Sequence, residues 1–500
     1  MGLLARQALN PAGAAAGPLP VFGTGFLDHP TLFHYVQAGA LAVFGDSITG
    51  LRLLSAVFGS LAAPAVYLIG RLGWGRVAGL VAGGLLCVSH FHIHYSRVAL
   101  NNIESATLIA VAMGLVFAAV TLGQAAEPSD PPRSYVTIFV LFGLTVGVSQ
   151  YFYYGSRVLL VLMLPILVIL RVHRLARLRD IGAAIGATIV AVAPLALHYL
   201  RYPEALGTRT QRVSVFSAAG LFHELGVGAT LPHDLVPLLM TQTLRNVGFF
   251  LNSGDRSTFY TSEFPAFDRI TVMMFWLGIA CVLWSTAFRR EAKTVFAQLM
   301  VTWIVAGVTL GGIFTIDSPN GPRLLMVVPA VFVCGGVSSQ YLWNAANRRW
   351  PTRRRVARYV VAALALATSF ANWNRYFVDF ANDQPLARIT EIATLIGHQS
   401  LSHRVFLIGG DALRVDNGAM RLLTNGGDQS DLASSERFEA LVPALAMATR
   451  PVLVIALAFR AADLQHIQQL HPGGVFITYS DKHGRPMYLT YEVTVTTPPP

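Results

Sequence analysis

Four short stretches set ionisable and hydrogen-bonding side chains beside apolar runs, where chemistry at a membrane–water boundary would need them. In GFLDHPTLFHY, Asp28 brings a carboxylate and His29 an imidazole, while Pro30 pre-sets the backbone for the helix that follows. A carboxylate there could assist a general base or bind a metal ion. Asp-x-Pro before a helix also serves simply as a cap and turn. In HYSRVALNNIES the candidates are Arg97, Asn101, Asn102 and Glu104; in QYFYYGSR, Tyr153, Tyr154 and Arg157; in TIDSPNGPR, Asp317 and Arg323. A guanidinium holds a phosphate by paired, charge-assisted hydrogen bonds. Arg97, Arg157 and Arg323 would sit at the depth of a lipid-linked phosphate. Snorkelling to the interface is the competing role for any one of them, and it explains all three together less well.

Other polar residues have simpler expected roles. His90, His92 and His94 alternate as metal ligands on a strand would, but they fall at a helix-to-loop edge where aromatic-belt packing is expected. Glu104, a turn inside the next helix, either faces the site or favours the helix N-terminus. Asp46 in FGDSITG reads as a helix N-cap. Cys87, Cys281 and Cys334 lie inside apolar runs, without metal-ligand spacing or a disulfide framework. The sequence holds neither a phosphate-cradling Walker pattern nor a dinucleotide glycine fingerprint in a strand–helix context, and no Ser-His-Asp arrangement can be argued. No metal-ligand set is specified, and a divalent cation stays open as a cofactor.

The elements that must position these residues follow from composition. Of 500 residues 54% are hydrophobic and 13% charged, where about 25% charged is usual for a soluble domain. The mean hydropathy is +0.52, which excludes an ordinary soluble globule and points to lipid. A formal net charge of +11 would suit nucleic acid, but the basic residues are scattered rather than gathered on a face. Lysine stands only at Lys293 and Lys482, the usage expected of a GC-rich, bacterial genome.

Ten apolar segments predict a mainly helical, polytopic membrane bundle: 49–70, 77–89, 101–123, 134–149, 158–170, 181–200, 270–287, 295–314, 324–342 and 356–370. The loops RLGWGR, RVHRLARLRD, FRREAK and NRRWPTRRRVAR are basic, and GQAAEPSDPPRS joins them by alternation. The positive-inside rule places this set in the cytoplasm. The chemistry-bearing stretches and the long loop 201–268 then face outward, and residues 49–370 form the membrane core. Residues 371–500 change character. RVFLIGG, PVLVIAL, GVFITYS and MYLTYEVTV read as strands, and 436–448 and 461–470 as helices, giving a small outward-facing α/β domain with a Pro-rich tail. Residues 1–48 would begin outside as part of a first outer loop, yet carry no signal peptide. The expectation is a further apolar helix upstream of Met1.

The order of D-H-P, GRLGWG, HYSRVALNN, QYFYYGSR and SPNGPRLLMVVP, followed by an outward soluble domain, resembles the GT-C glycosyltransferases. The resemblance is to the branch that holds the protein O-mannosyltransferases and the bacterial aminoarabinose transferase of lipid A. The resemblance covers about residues 2–329. It implies transfer of a sugar from a polyprenyl-phosphate carrier to an acceptor on the outer face of the plasma (inner) membrane. The family's catalytic Asp-Glu pair would stand just upstream of Met1, before the pattern GLLARQAL. The chain as given is therefore expected to bind a lipid-linked sugar and to catalyse poorly. Asp28 falls where the family has a loop carboxylate before proline. Arg97 matches the arginine opening the helix after the second outer loop, but Asn101 and Asn102 replace an expected Asp, leaving Glu104 the only nearby acid. Arg157 and Arg323 match arginines near the lipid phosphate, with His29 and Tyr154 beside them. A non-catalytic protein that binds lipid-linked sugars, or a flippase or transporter for them, are the alternatives. The scarcity of ionisable residues at the segment centres argues against transport.

Overall fold

The computed structural model describes residues 2–10, 18–23, 29–125, 135–226, 233–257, 259–260, 264–288, 293–350, 352, 354–381, 385–409, 413–424, 429–432, 450–480 and 484–493. Leu4–Asn374 fold as one compact unit and Arg375–Pro500 make up most of a second.

Each of the ten apolar segments contains a helix. Six are long and apolar enough to cross a membrane: Ile48–Gly73, Asn102–Ala125, Tyr154–Val172, Leu178–Arg201, Arg269–Ala287 and Lys293–Ile313. Arg76–Val88 and His90–Arg97, bent by 59°, make a seventh if taken as one span. Among the described residues the expected count of ten membrane helices is not confirmed, for identifiable reasons. Val136–Ser149 has only 14 residues. Val328–Arg349 is enclosed by protein from Val328 to Ser338. Arg354–Trp373 starts among arginines. Around the bundle Leu164, Val190, Met273 and Leu366 are largely exposed, as side chains facing lipid are.

The helix ends sort into two sets. At one end Trp74, Phe117 and Phe296 form an aromatic cluster with centroids 4.9–6.2 Å apart. Beside it His173 Nε2 meets Gln298 Oε1 at 2.9 Å, and Gln340 accepts the N–H groups of Val77 and Ala78. This is the end that carries the basic loops. At the other end lie Tyr95, Asn101, Asn102, Phe152 and Pro322, joined by the contacts described below. The long loop between them in sequence is itself structured, with helices Pro203–Val213, Ala218–Leu225 and Leu235–Phe249.

Small residues let these helices pack closely. A Cβ on Gly143 would lie 2.1 Å from the Ala184 carbonyl oxygen, and one on Gly147 would lie 2.5 Å from the Ala191 Cβ. The close approach of the two backbones lets Thr188 Oγ1 donate to the Gly143 carbonyl at 3.0 Å.

The second unit holds a five-stranded sheet in the order Gln429–Asp431, Arg404–Ile408, Val452–Leu457, Pro486–Val493 and Val475–Ser480. The first three strands run parallel, and the last two add antiparallel. Alternation along Val452–Leu457 sends Val454 to one face with Leu464 and Ile467, and Ile455 to the other with Ile392 and Met420. Helices therefore cover both faces. The four strands and the helix 461–470 expected from sequence are present, while the helix expected at 436–448 lies outside the described residues. The short strand Gln429–Asp431 and the helices Pro385–Gln399 and Gly418–Thr424 were not expected.

Gly143→Ala should push the two helices apart and destabilise the bundle by about 1–3 kcal/mol. A thermal melt of the detergent-solubilised chain reads this as a lower midpoint, and an unchanged midpoint would rule out a tight seam here.

Candidate functional site

The site is built around a buried carboxylate. Asp255 is almost fully enclosed and accepts four hydrogen bonds. Tyr95 OH donates at 2.8 Å, Ser257 N–H at 2.8 Å, Ser257 Oγ at 2.7 Å and Gly321 N–H at 2.7 Å. It thus joins the His90–Arg97 helix, the loop after Phe249 and the SPNGPR segment. Position 321 admits only glycine, since a Cβ there would stand 2.2 Å from Asp255 Oδ2. Burial lifts the Asp255 carboxyl above the ordinary aspartate range, while the bonds from Ser257, Gly321 and Tyr95 oppose that shift.

Gly321 opens the short helical turn Gly321–Leu324, which aims Arg323. Arg323 is half-buried and donates from Nη1 to the Ile316 carbonyl. Burial presses its pKa down, opposed by Tyr153, Asp317 and Asp255. Tyr153 has Arg323 and Asn102 as side-chain hydrogen-bonding neighbours. Burial raises its hydroxyl pKa, and the charges of Arg323 and Arg209 pull it back. Asn102 Nδ2 also donates to the Pro322 carbonyl at 3.3 Å. Arg209, on the Pro203–Val213 helix, acts on Tyr153, Arg323 and His29 alike. Two guanidiniums, a phenol and an amide therefore gather at one end of the bundle, a donor set suited to a phosphate.

His29 lies at the edge of this group, its Nδ1 2.8 Å from the Pro30 carbonyl oxygen and its ring 5.0 Å from His34. Burial lowers the His29 pKa and, with the charge of His29, brings that of His34 down to about 3. Both rings are therefore held neutral. Asp28 lies outside the described residues.

The remaining sequence candidates fall elsewhere. Asn101 Nδ2 is taken by the Phe152 carbonyl at 2.6 Å. Glu104 is buried between two helices, with Ser55 Oγ donating to Oε1 at 3.0 Å and no partner for Oε2 among the described residues. Arg97 is exposed at its helix end. Arg157 stacks 4.2 Å over the Tyr154 ring and donates to the Leu206 carbonyl, Thr210 Oγ1 and Tyr199 OH. It clamps the Pro203–Val213 helix, the one that carries Arg209. His90, His92 and His94 lie on a helix, bonded to Tyr260 OH, the Gly59 carbonyl and the Phe259 carbonyl. The cap expected at Asp46 is a correction: Ser47 accepts from Gly50 N–H, and Asp46 instead pairs with Arg6 at 2.8 Å. The hydroxyl one residue closer to the helix already occupies the capping position.

Sequence reading missed Arg209 and Asp255. Asp255 sits in a loop and Arg209 on a helix of the long outer stretch, and no local pattern marks either, because partners such as Tyr95, Gly321 and Arg323 come from distant segments.

One group of donors could hold a divalent cation. Ligand atoms of His223, Glu224 and Asp317 lie within 4.8 Å of one another. His223 Nε2 is 2.7 Å from Asp317 Oδ1, and Glu224 accepts from Asp317 N–H at 2.7 Å and from Arg245 at 3.0 Å. An imidazole and two carboxylates at this spacing fit the ligand chemistry of such an ion.

Residues 28–199 match the family described as dolichyl-phosphate-mannose-protein mannosyltransferase. A comparison with curated proteins finds no match. Among solved structures, ArnT from Cupriavidus metallidurans bound to undecaprenyl phosphate is similar over 100% of this chain and 94% of its own, at 15% identity and a TM-score of 0.52. Its apo state gives 14% identity and a TM-score of 0.54, over 100% of this chain and 93% of its own. The apo oligosaccharyltransferase of Archaeoglobus fulgidus gives 12% identity and a TM-score of 0.50, over 97% of this chain and 69% of its own. The expected resemblance is borne out to this extent: residues 28–199 match the mannosyltransferase family, and the fold is that of ArnT.

Asp255 binds a proton more readily folded than unfolded. Its contribution to stability is therefore present at low pH and falls away as pH rises through its raised pKa. Asp255→Asn should flatten that fall, read as melting temperature against pH from the acid side to neutrality. A parallel dependence in the two proteins would exclude it.

Proposed function

We propose that this multi-pass protein is a glycosyltransferase that moves a sugar from a polyprenyl-phosphate carrier to a hydroxyl-bearing acceptor on the outer face of the membrane. The observation that carries this reading is the convergence of Arg323, Arg209, Tyr153 and Asn102, at the bundle end opposite the basic loops, on a GT-C fold. The positive-inside rule makes that end the outer one.

Four side chains that donate to oxygen would receive the carrier phosphate at the depth where a polyprenyl headgroup lies. In the transfer a base takes the acceptor hydroxyl proton and the oxygen bonds to the sugar's anomeric carbon. The bond from that carbon to the carrier phosphate breaks. Arg323 and Arg209 stabilise the charge that the departing phosphate gains, and Arg323, held at the Ile316 carbonyl, need not reorganise during the step. Asp28, adjacent in sequence to His29, is the carboxylate we propose as the general base. A divalent cation, held by His223, Glu224 and Asp317, would add a positive charge within reach of Arg323's surroundings.

Arg323→Ala should reduce sugar transfer about 10²–10³-fold, with Arg323→Lys recovering part of the loss. Arg157→Ala should act instead by loosening the Pro203–Val213 helix, so that protease sensitivity there rises along with any loss of transfer. The assay follows radiolabelled hexose from a polyprenyl-phosphate donor into the acceptors of a membrane fraction. Wild-type transfer that Arg323→Ala leaves intact would sink the assignment.

A further inference from the structure

Outside the group just described, a cavity of about 340 Å³ opens between the loop that follows Phe249 and the SPNGPR segment. That volume falls within the range of about 300–1,000 Å³ typical of small-molecule sites. Its polar wall is made of Arg245, Asn252, Ser253 and Arg256, and its apolar wall of Phe264, Pro265 and Pro319. Every charged residue in the wall is a cation; among the described residues no carboxylate lines it.

Both guanidiniums are fixed from behind. Arg245 Nη1 is held by Glu224 Oε2 at 3.0 Å. Arg256 Nη1 donates to the Ser318 carbonyl at 3.0 Å, and its backbone N–H donates to Pro319 at 3.1 Å. Each anchor uses one guanidinium N–H and leaves the planar fork otherwise available, so the side chains lose little freedom when they take a ligand. Two oriented guanidiniums, an amide and a hydroxyl around one space select an oxyanion over a neutral or cationic group.

We propose that this cavity is a binding site for a phosphate-type oxyanion borne by a ligand, separate from the Arg209–Tyr153–Arg323 group. The oxyanion bridges Arg245 and Arg256, with Asn252 and Ser253 completing its donors and the proline wall flanking the rest of the ligand.

The test is calorimetric titration of inorganic phosphate into the full chain in phosphatidylcholine nanodiscs at constant ionic strength. Asn252→Asp sets a carboxylate inside the cavity, where it takes the guanidiniums itself. It should weaken phosphate binding at least tenfold without lowering the melting temperature, because no described protein group depends on the Asn252 side chain. Arg256→Lys, which keeps the charge and loses the fork, should weaken binding less. Nanodiscs containing phosphatidylglycerol separate two sources of the anion. Competition with phosphate there assigns the site to a lipid headgroup, and its absence assigns it to a soluble ligand. Undetectable phosphate binding, or equal binding by Asn252→Asp, overturns the proposal. Polyprenyl phosphate titrated into the same two proteins should bind both alike. Its failure to bind either would count against the donor site alone and leave this cavity standing.

Discussion

One buried carboxylate organises the chemistry-bearing end of this protein. Asp255 holds Tyr95, Ser257 and the Gly321 N–H together, and an unmatched charge at that depth would be costly. Four donors meet the carboxylate's acceptor capacity and make the arrangement of three distant segments cooperative. The direction of Arg323 follows from it, since the turn that begins at Gly321 determines where the guanidinium goes. The glycine belongs to the same constraint, because any side chain at 321 would collide with the carboxylate.

A second layer of positioning comes from Arg157. It lies over Tyr154 and ties the Pro203–Val213 helix to the bundle through two acceptors on that helix. That helix in turn carries Arg209 towards Tyr153. One arginine thus serves as a strut for another. The arrangement suits an interface, where a charged group lying over an aromatic face keeps much of its electrostatic stabilisation.

The bundle also shows how apolar helices divide their labour. Ile48–Gly73, Tyr154–Val172 and Leu178–Arg201 turn large side chains such as Leu164 and Val190 outward. The first half of Val328–Arg349 is instead enclosed by protein on all sides. An apolar run alone does not distinguish these environments. That is why ten segments were legible as helices while the number of independent spans was not.

Much of this protein was written locally. Apolar runs located the helices, short apolar and β-branched runs bounded by turn residues located four strands of the C-terminal sheet, and the asymmetry of arginine between loops separated the two ends of the bundle, because each signal depends on neighbours a few residues away. At the site, Arg323, Asn102 and His29 were recognisable because they adjoin apolar runs in motifs. Only the tertiary structure decided that Arg157 binds protein, that Ser47 rather than Asp46 caps its helix, and that Arg209 and Asp255 complete the group. Those outcomes rest on hydrogen bonds and charges between segments far apart in the chain. Such pairings are selected by the packed geometry of the whole bundle, which no local pattern encodes.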